Sequence, residues 1–172
     1  HHHILWTRIP DYRRADLRHA QSIDKSVFEY WTHALAYVPT TDLPIFIPSM
    51  RRHRRDRRPR FKSVAQKDLR NVMRLIRQGG PLTIRDIEDD VLVEKEHLWA
   101  SRKPSKRALQ LLFYRGVLAI SAREGMLKTY DRMERHFGWE KRPRPASENQ
   151  FAEYVLDRAL TAQGIISLDS AC

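Results

Sequence analysis

Apolar residues return at helical spacing in the middle of the chain. Leu69, Val72, Met73 and Ile76 share one face of "AQKDLRNVMRLIRQGG", and Gly79-Gly80 stop the helix. "PLTIRDIEDD" predicts a second short helix with Thr83 as its N-cap. A third helix is expected in "KPSKRALQLLFYRG". There Ser105 is the capping residue, Ala108, Leu109, Leu112 and Phe113 form the apolar side, and Gly116 ends the run. The spacing then switches. "VLAISAREGMLKTYD" reads as two strands around a turn at Gly125.

The order helix, helix, helix, β-hairpin is the plan of a winged helix-turn-helix, in which the third helix meets a DNA groove and the hairpin forms the wing. The flanks carry partial echoes of it. Ala15 to Ile23 reads as a short helix. Val27, Phe28, Tyr30 and Trp31 suit a strand, yet Val27, Tyr30, Trp31, Ala34, Leu35 and Val38 also satisfy helical spacing, and the pattern alone leaves both open. "TTDLPIFIPSMRRHRRD" predicts a helix started by Thr41 or Asp42 with Pro44 in its first turn, broken or kinked at Pro48. "RHFGWEKRPRPASEN" reads as a linker. A helix follows with Ser147 as cap, Gln150 at the capping-box position, and Phe151, Val155, Leu156 and Ala159 on its buried side.

"LTAQG" followed by "IISLDSA" repeats the pattern of "LIRQGGPLTIRDI". The expected fold is therefore mainly α with small β-hairpins, arranged as tandem winged helix-turn-helix units. Residues 1–62 would hold the end of a first unit and a basic helix or linker. Residues 63–146 would hold the central unit and a linker, and residues 147–172 the start of a further, truncated one.

Charge sharpens this picture. Of the net +11, "RRHRRDRRPRFK" at residues 51–62 supplies +7 from eight Arg/Lys and one Asp, leaving +4 over the other 160 residues. Such concentration favours a polyanion partner. Phosphate contacts are expected from Arg51, Arg52, Arg54, Arg55, Arg57 and Arg58. Cys172 is the single cysteine, so neither an intrachain disulfide nor a paired-cysteine zinc site can form. No apolar run reaches the roughly 18–20 residues of a membrane span, and no signal peptide is evident, so a cytoplasmic protein is expected. The start at "HHHILWTRIP" without Met, and the stop after "GIISLDSAC", suggest a piece of a longer protein. His1, His2 and His3 read as native sequence, a tag remnant or a metal-binding cluster.

Two groups of side chains carry candidate chemistry. Lys103, Ser105, Lys106, Arg107 and Gln110 lie at the start or on the polar side of the third helix, where N–H groups and cations suit phosphates and guanine edges. Arg123 and Lys128 would extend this along the wing. The competing reading is an ordinary solvated helix face. In "EYWTH", Glu29 and His33 would share a face on a helix, or meet across a strand and the turn after it, as an acid/base pair next to Tyr30 and Trp31, fit for a nucleobase pocket. The competing reading is an aromatic core cluster with an ion pair. Glu88, Asp89, Asp90, Glu94 and Glu96 read as a solvated loop rather than a Mg²⁺ site. Phosphate-loop, dinucleotide, zinc-protease and nucleophile-elbow motifs are absent from the sequence.

"VFEYWTHALAYVPTTDLP", the basic helix, the Gly-Gly stop and "KPSKRALQLLFYRGVLAISAREGMLKTYD" with its Tyr-Asp-Arg resemble the winged-helix DNA glycosylases of the YcaQ/AlkZ group. The resemblance covers roughly residues 3–170 and is most specific at "EYWTHA" and "KPSKRALQLLFYRG". It implies tandem winged helices bound to double-stranded DNA and hydrolysis of the N-glycosidic bond of an alkylated, N7-substituted or crosslinked purine. It implies no cofactor and no metal. Glu29, Trp31 and His33 would help to wall the damaged-base site. The group's catalytic Gln-x-Gln or Gln-x-Asp motif belongs before the stretch matching His1 and is missing at that position, so the fragment alone is expected to be inactive. The alternative is a non-enzymatic winged-helix regulator.

Overall fold

A computed structural model describes residues 2–32, 34–55, 64–89, 92–95 and 101–167. The chain is mainly α with two small antiparallel sheets. Helix α1 (His2–Arg8) precedes α2 (Arg14–Ser22), whose first turn is closed by the Arg13 N–H donating to Asp16 Oδ2 at 2.7 Å. Strands β1 (Val27–Trp31) and β2 (Leu35–Pro39) then form a hairpin with Glu29 opposite Tyr37. The ambiguity over residues 27–38 thus resolves to strand. Phe28 and Tyr30, two apart on one strand face, are both driven into the core at 2% and 1% exposure.

A 3₁₀ turn (Thr40–Asp42) leads into α3 (Leu43–Arg55). Contrary to the expected break, α3 runs through Pro48. Pro48 has no N–H for the carbonyl of Pro44 one turn back, a loss that usually disrupts a helix. Here the Ala146 N–H donates to that carbonyl at 3.0 Å, so the acceptor is satisfied from the segment before the last helix.

Helix α4 (Gln66–Gly79) buries Leu69, Val72 and Ile76, and Gly80 at φ +90° turns the chain away. The second expected helix is a single 3₁₀ turn (Ile84–Asp86) preceded by the two-residue strand β3 (Leu82–Thr83). Thr83 does cap it, with Asp86 Oδ2 accepting from the Thr83 N–H at 2.6 Å. Helix α5 (Pro104–Tyr114) then precedes β4 (Leu118–Glu124) and β5 (Leu127–Arg132), paired in the order β3-β5-β4. Gly116 makes the tight exit from α5 at φ +60°, and a Cβ there would lie 2.3 Å from the buried Met50 Sδ. Backbone conformation and close approach both require glycine.

The expected linker contains a five-residue helix, α6 (Met133–Phe137), and Trp139 stacks on Phe137 at 4.5 Å. Helix α7 (Glu148–Gln163) carries the Ser147/Gln150 capping box. Its apolar side is not buried as expected. Phe151 and Leu156 are 48% and 45% exposed, because α7 meets α3 through Tyr154, which packs on Phe46 and donates to Asp42 Oδ2 at 3.0 Å.

One buried cluster joins Phe28, Tyr30, Leu43, Ile47 and Met50 to Leu69, Ile76, Leu109, Leu118 and Ile120. It contains residues from both sides of position 62. Burying each such side chain contributes about 1.5–3 kcal/mol. The Tyr30 hydroxyl adds a direct tie, donating to the Tyr114 carbonyl at 2.8 Å. Among the described residues, no helix is long and apolar enough to cross a membrane.

His136 is a buried polar member of α6, 6% exposed, with no partner for Nε2 among the described residues. Desolvation, aided by Lys25 and opposed by Asp131, lowers its pKa below the usual 6.5. The unfolded chain therefore takes up this proton first as pH falls. The His136 contribution is full above pH 6.5 and is lost as pH drops through the lowered folded value. Melting temperatures between pH 7.5 and 5 should fall, and His136→Gln should flatten that slope.

Candidate nucleic-acid interface

Helix α5 places its cations by a simple partition. Leu109, Leu112 and Phe113 turn inward, which leaves Lys103, Lys106 and Gln110 as an exposed stripe at i, i+3 and i+7. Ser105 does not cap the helix as expected. Lys103 holds the N-cap position, and Ser105, 4% exposed, donates through its N–H (2.9 Å) and Oγ (2.6 Å) to the two carboxylate oxygens of Asp89. Asp89 thus takes the place at the helix start that a phosphate would seek. Arg107 is also drawn in, at 6% exposure. Nothing in the sequence pattern linked Asp89 to Ser105.

Arg123 and Lys128, expected along a wing, are both partly buried. Arg123 turns back on Glu29, donating through Nε to Oε1 and through Nη2 to Oε2 at 2.8 Å. The side chains of Arg123 and Glu29 are only 18% and 1% exposed. Gln21 Nε2 donates both to Glu29 Oε1 at 3.2 Å and to the Ile120 carbonyl at 3.1 Å, so α2, β1 and β4 meet at one polar knot. Tyr37, cross-strand from Glu29, has its hydroxyl pKa pushed up by burial and by the Glu29 charge. Glu29 thus lies on a strand with its carboxylate held by a guanidinium fork, not on the helix face that a helical acid/base pair requires. His33 itself lies outside the described residues.

Lys128 leans over the Phe113 ring, its Nζ 5.7 Å from the centroid, and burial lowers its pKa. Trp31 stays 42% exposed beside Tyr114, with 6.0 Å between centroids.

Among the described residues, a run of exposed cations lies on the last turns of α3, at Arg51, Arg52, Arg54 and Arg55. Arg57 and Arg58 lie outside the described residues. Two arginines that sequence reasoning missed adjoin this ridge. Arg54 Nε donates to the Arg115 carbonyl at 3.0 Å, and Arg115 Nε donates back to the His53 carbonyl at 3.3 Å. Arg142 Nη2 donates to the Gly116 carbonyl at 2.7 Å and also pairs with Glu134. The only sequence signal for them was the basic residue after each helix or turn.

At the other end of the chain, His2, His3, Trp6, Tyr12 and Arg14 line an open cleft of about 410 Å³. His2 Nδ1 sits 2.6 Å from the Tyr12 hydroxyl. Partial burial and the neighbouring Arg14 and Arg123 charges lower the His2 pKa. No group of three or more His, Cys, Asp or Glu among the described residues is arranged to hold a metal ion.

A family model described as DNA glycosylase AlkZ-like matches residues 1–172. Comparison with curated proteins and with solved structures returned no match. The match covers the α3 ridge, the α5 stripe and the Glu29–Arg123 knot together, and a DNA glycosylase acts on DNA. The chain belongs to the AlkZ-like DNA glycosylase family.

Proposed function

We propose that this chain is the DNA-gripping part of a glycosylase that releases an alkylated purine, either an N7 adduct or an interstrand crosslink. The full-length family match carries this reading. The ridge at Arg51, Arg52, Arg54 and Arg55 and the Lys103/Lys106 stripe support it, as exposed cations suited to phosphates. In this reading α4, the 3₁₀ turn, α5 and the β3-β5-β4 sheet make up a winged helix-turn-helix, with α5 as the groove-facing helix. The chain order and the central position of β5 favour that assignment.

An N7-alkylated purine leaves as a neutral base from a cationic precursor. Catalysis then needs a positioned water and negative potential near a sugar with oxocarbenium character. Glu29, Trp31 and His33 are proposed to wall the base site. Exposed Trp31 suits stacking, whereas the Glu29 carboxylate is committed to Arg123 and serves the fold before any proton transfer. The water-positioning Gln-x-Asp or Gln-x-Gln implied by the resemblance belongs ahead of His1. Gln66-Lys67-Asp68 has the right form, but it is the first turn of α4, with Gln66 exposed to solvent.

The test is release of 7-methylguanine from duplex DNA. Residues 1–172 as a separate polypeptide are expected to release none. A longer chain carrying the preceding segment is expected to release it, and to stop doing so when the Gln of that motif is replaced by Ala. No release by the longer chain would remove the glycosylase reading in favour of a DNA-binding regulator.

A further inference from the structure

Four arginines from three parts of the chain converge where α3 and α5 end. Arg51 and Arg54 come from the last turns of α3, Arg115 from the exit of α5, and Arg142 from the segment before α7. Reciprocal bonds lock the end of α3 to the end of α5, Arg54 Nε to the Arg115 carbonyl at 3.0 Å and Arg115 Nε to the His53 carbonyl at 3.3 Å. Arg142 Nη2 reaches the adjacent Gly116 carbonyl at 2.7 Å. Helix C-termini attract cations through their free carbonyls, which explains one arginine at each helix end. Four is more than the carbonyls require.

The surplus has an electrostatic signature. Burial lowers the Arg54 pKa, and the charges of Arg142, Arg51 and Arg115 push it the same way, with Glu134 the carboxylate that opposes them. Glu134 is itself paired with Arg142. Four positive charges against one negative leave the cluster strongly cationic among the described residues. Each guanidinium has five N–H groups, and these bonds engage only Nε of Arg54 and of Arg115 and Nη2 of Arg142. Such a cluster is suited to an anion that presents several oxygens at once.

We propose that Arg51, Arg54, Arg115 and Arg142 form a binding site for a phosphate group of the DNA backbone. This goes beyond the linear basic run, since Arg115 and Arg142 come from other segments, and it rests on the DNA-gripping reading above. The site lies at the opposite end of α5 from Lys103 and Lys106, about 16 Å away for eleven residues of helix. It therefore holds the backbone well away from the groove-facing start of α5. Because Arg142 belongs to the segment tied to α3 through Ala146, a phosphate bound here also fixes the approach to α7.

The experiment titrates the 172-residue chain and its Arg51→Gln, Arg115→Gln and Arg142→Gln variants with an unmodified DNA duplex, and measures thermal protection by inorganic pyrophosphate. Arg51 is exposed on the helix surface, so its replacement tests the site without disturbing the fold. Each variant is expected to weaken duplex binding roughly tenfold whatever the sequence, and to reduce the salt slope by about one. Pyrophosphate protection should shrink in parallel. Normal duplex affinity in all three variants would overturn the site and leave the DNA reading standing. Pyrophosphate protection without any duplex binding by the parent chain would overturn the DNA assignment of the site and the DNA-gripping reading with it.

Discussion

Replacing Glu29 by alanine is expected to lower the melting temperature by roughly 6–12 °C, corresponding to about 3 kcal/mol in a chain of this size. The substitution strands the Arg123 guanidinium, 18% exposed, with no counter-charge in the knot. It also removes an acceptor of Gln21, which is itself 1% exposed. Breaking a buried pair on one side commonly costs about 3–5 kcal/mol, and the partial exposure of Arg123 places this case at the lower end. Arg123→Gln should cost at least as much, because the Glu29 side chain it leaves behind is 1% exposed. Combining Glu29→Gln with Arg123→Gln should recover part of the loss, since no unpaired charge then remains. Thermal unfolding of the three variants checks this. A Glu29→Ala chain that melts with the parent would show that the knot does not hold α2, β1 and β4 together.

That knot also shows where sequence reading stops. Glu29 reads from the sequence either as a pocket wall or as part of an aromatic core cluster with an ion pair, and its pairing with Arg123 beside buried Phe28 and Tyr30 agrees with the second, whereas Arg123 itself reads outward, to a wing. Alternation places residues on faces and does not say which face another hairpin will cover. The same limit applies on α5. The apolar side was read correctly, yet Ser105 and Arg107 were placed with the solvent-facing cations, because their burial depends on Asp89 and on neighbouring elements remote in sequence. A sound local rule puts a break or kink in α3 at Pro48, and the break does not occur because a distant donor, Ala146, satisfies the freed carbonyl. On α7 the apolar positions were found, but their burial needs a partner surface that the periodicity of one helix does not reveal. What was legible was helix α4, helix α5 and the β4–β5 hairpin, the Gly79-Gly80 stop, the Gly125 turn and the Ser147 cap. Each of these rests on contacts only a few residues apart.

The functional reading depends on cations that meet DNA phosphates, and a titration of an unmodified duplex at several salt concentrations tests it directly. Arg51, Arg52, Arg54, Arg55, Lys103 and Lys106 are exposed. Six phosphate contacts would give a log–log slope near −5 and about a thousandfold loss of affinity between 50 and 200 mM salt. If all eight cations of residues 51–62 took part instead, the slope from that run would be no steeper than roughly −7. The predicted result is binding that weakens steeply with salt within these limits. Binding that ignores salt, or no binding even at the lowest concentration, would contradict a DNA-gripping chain.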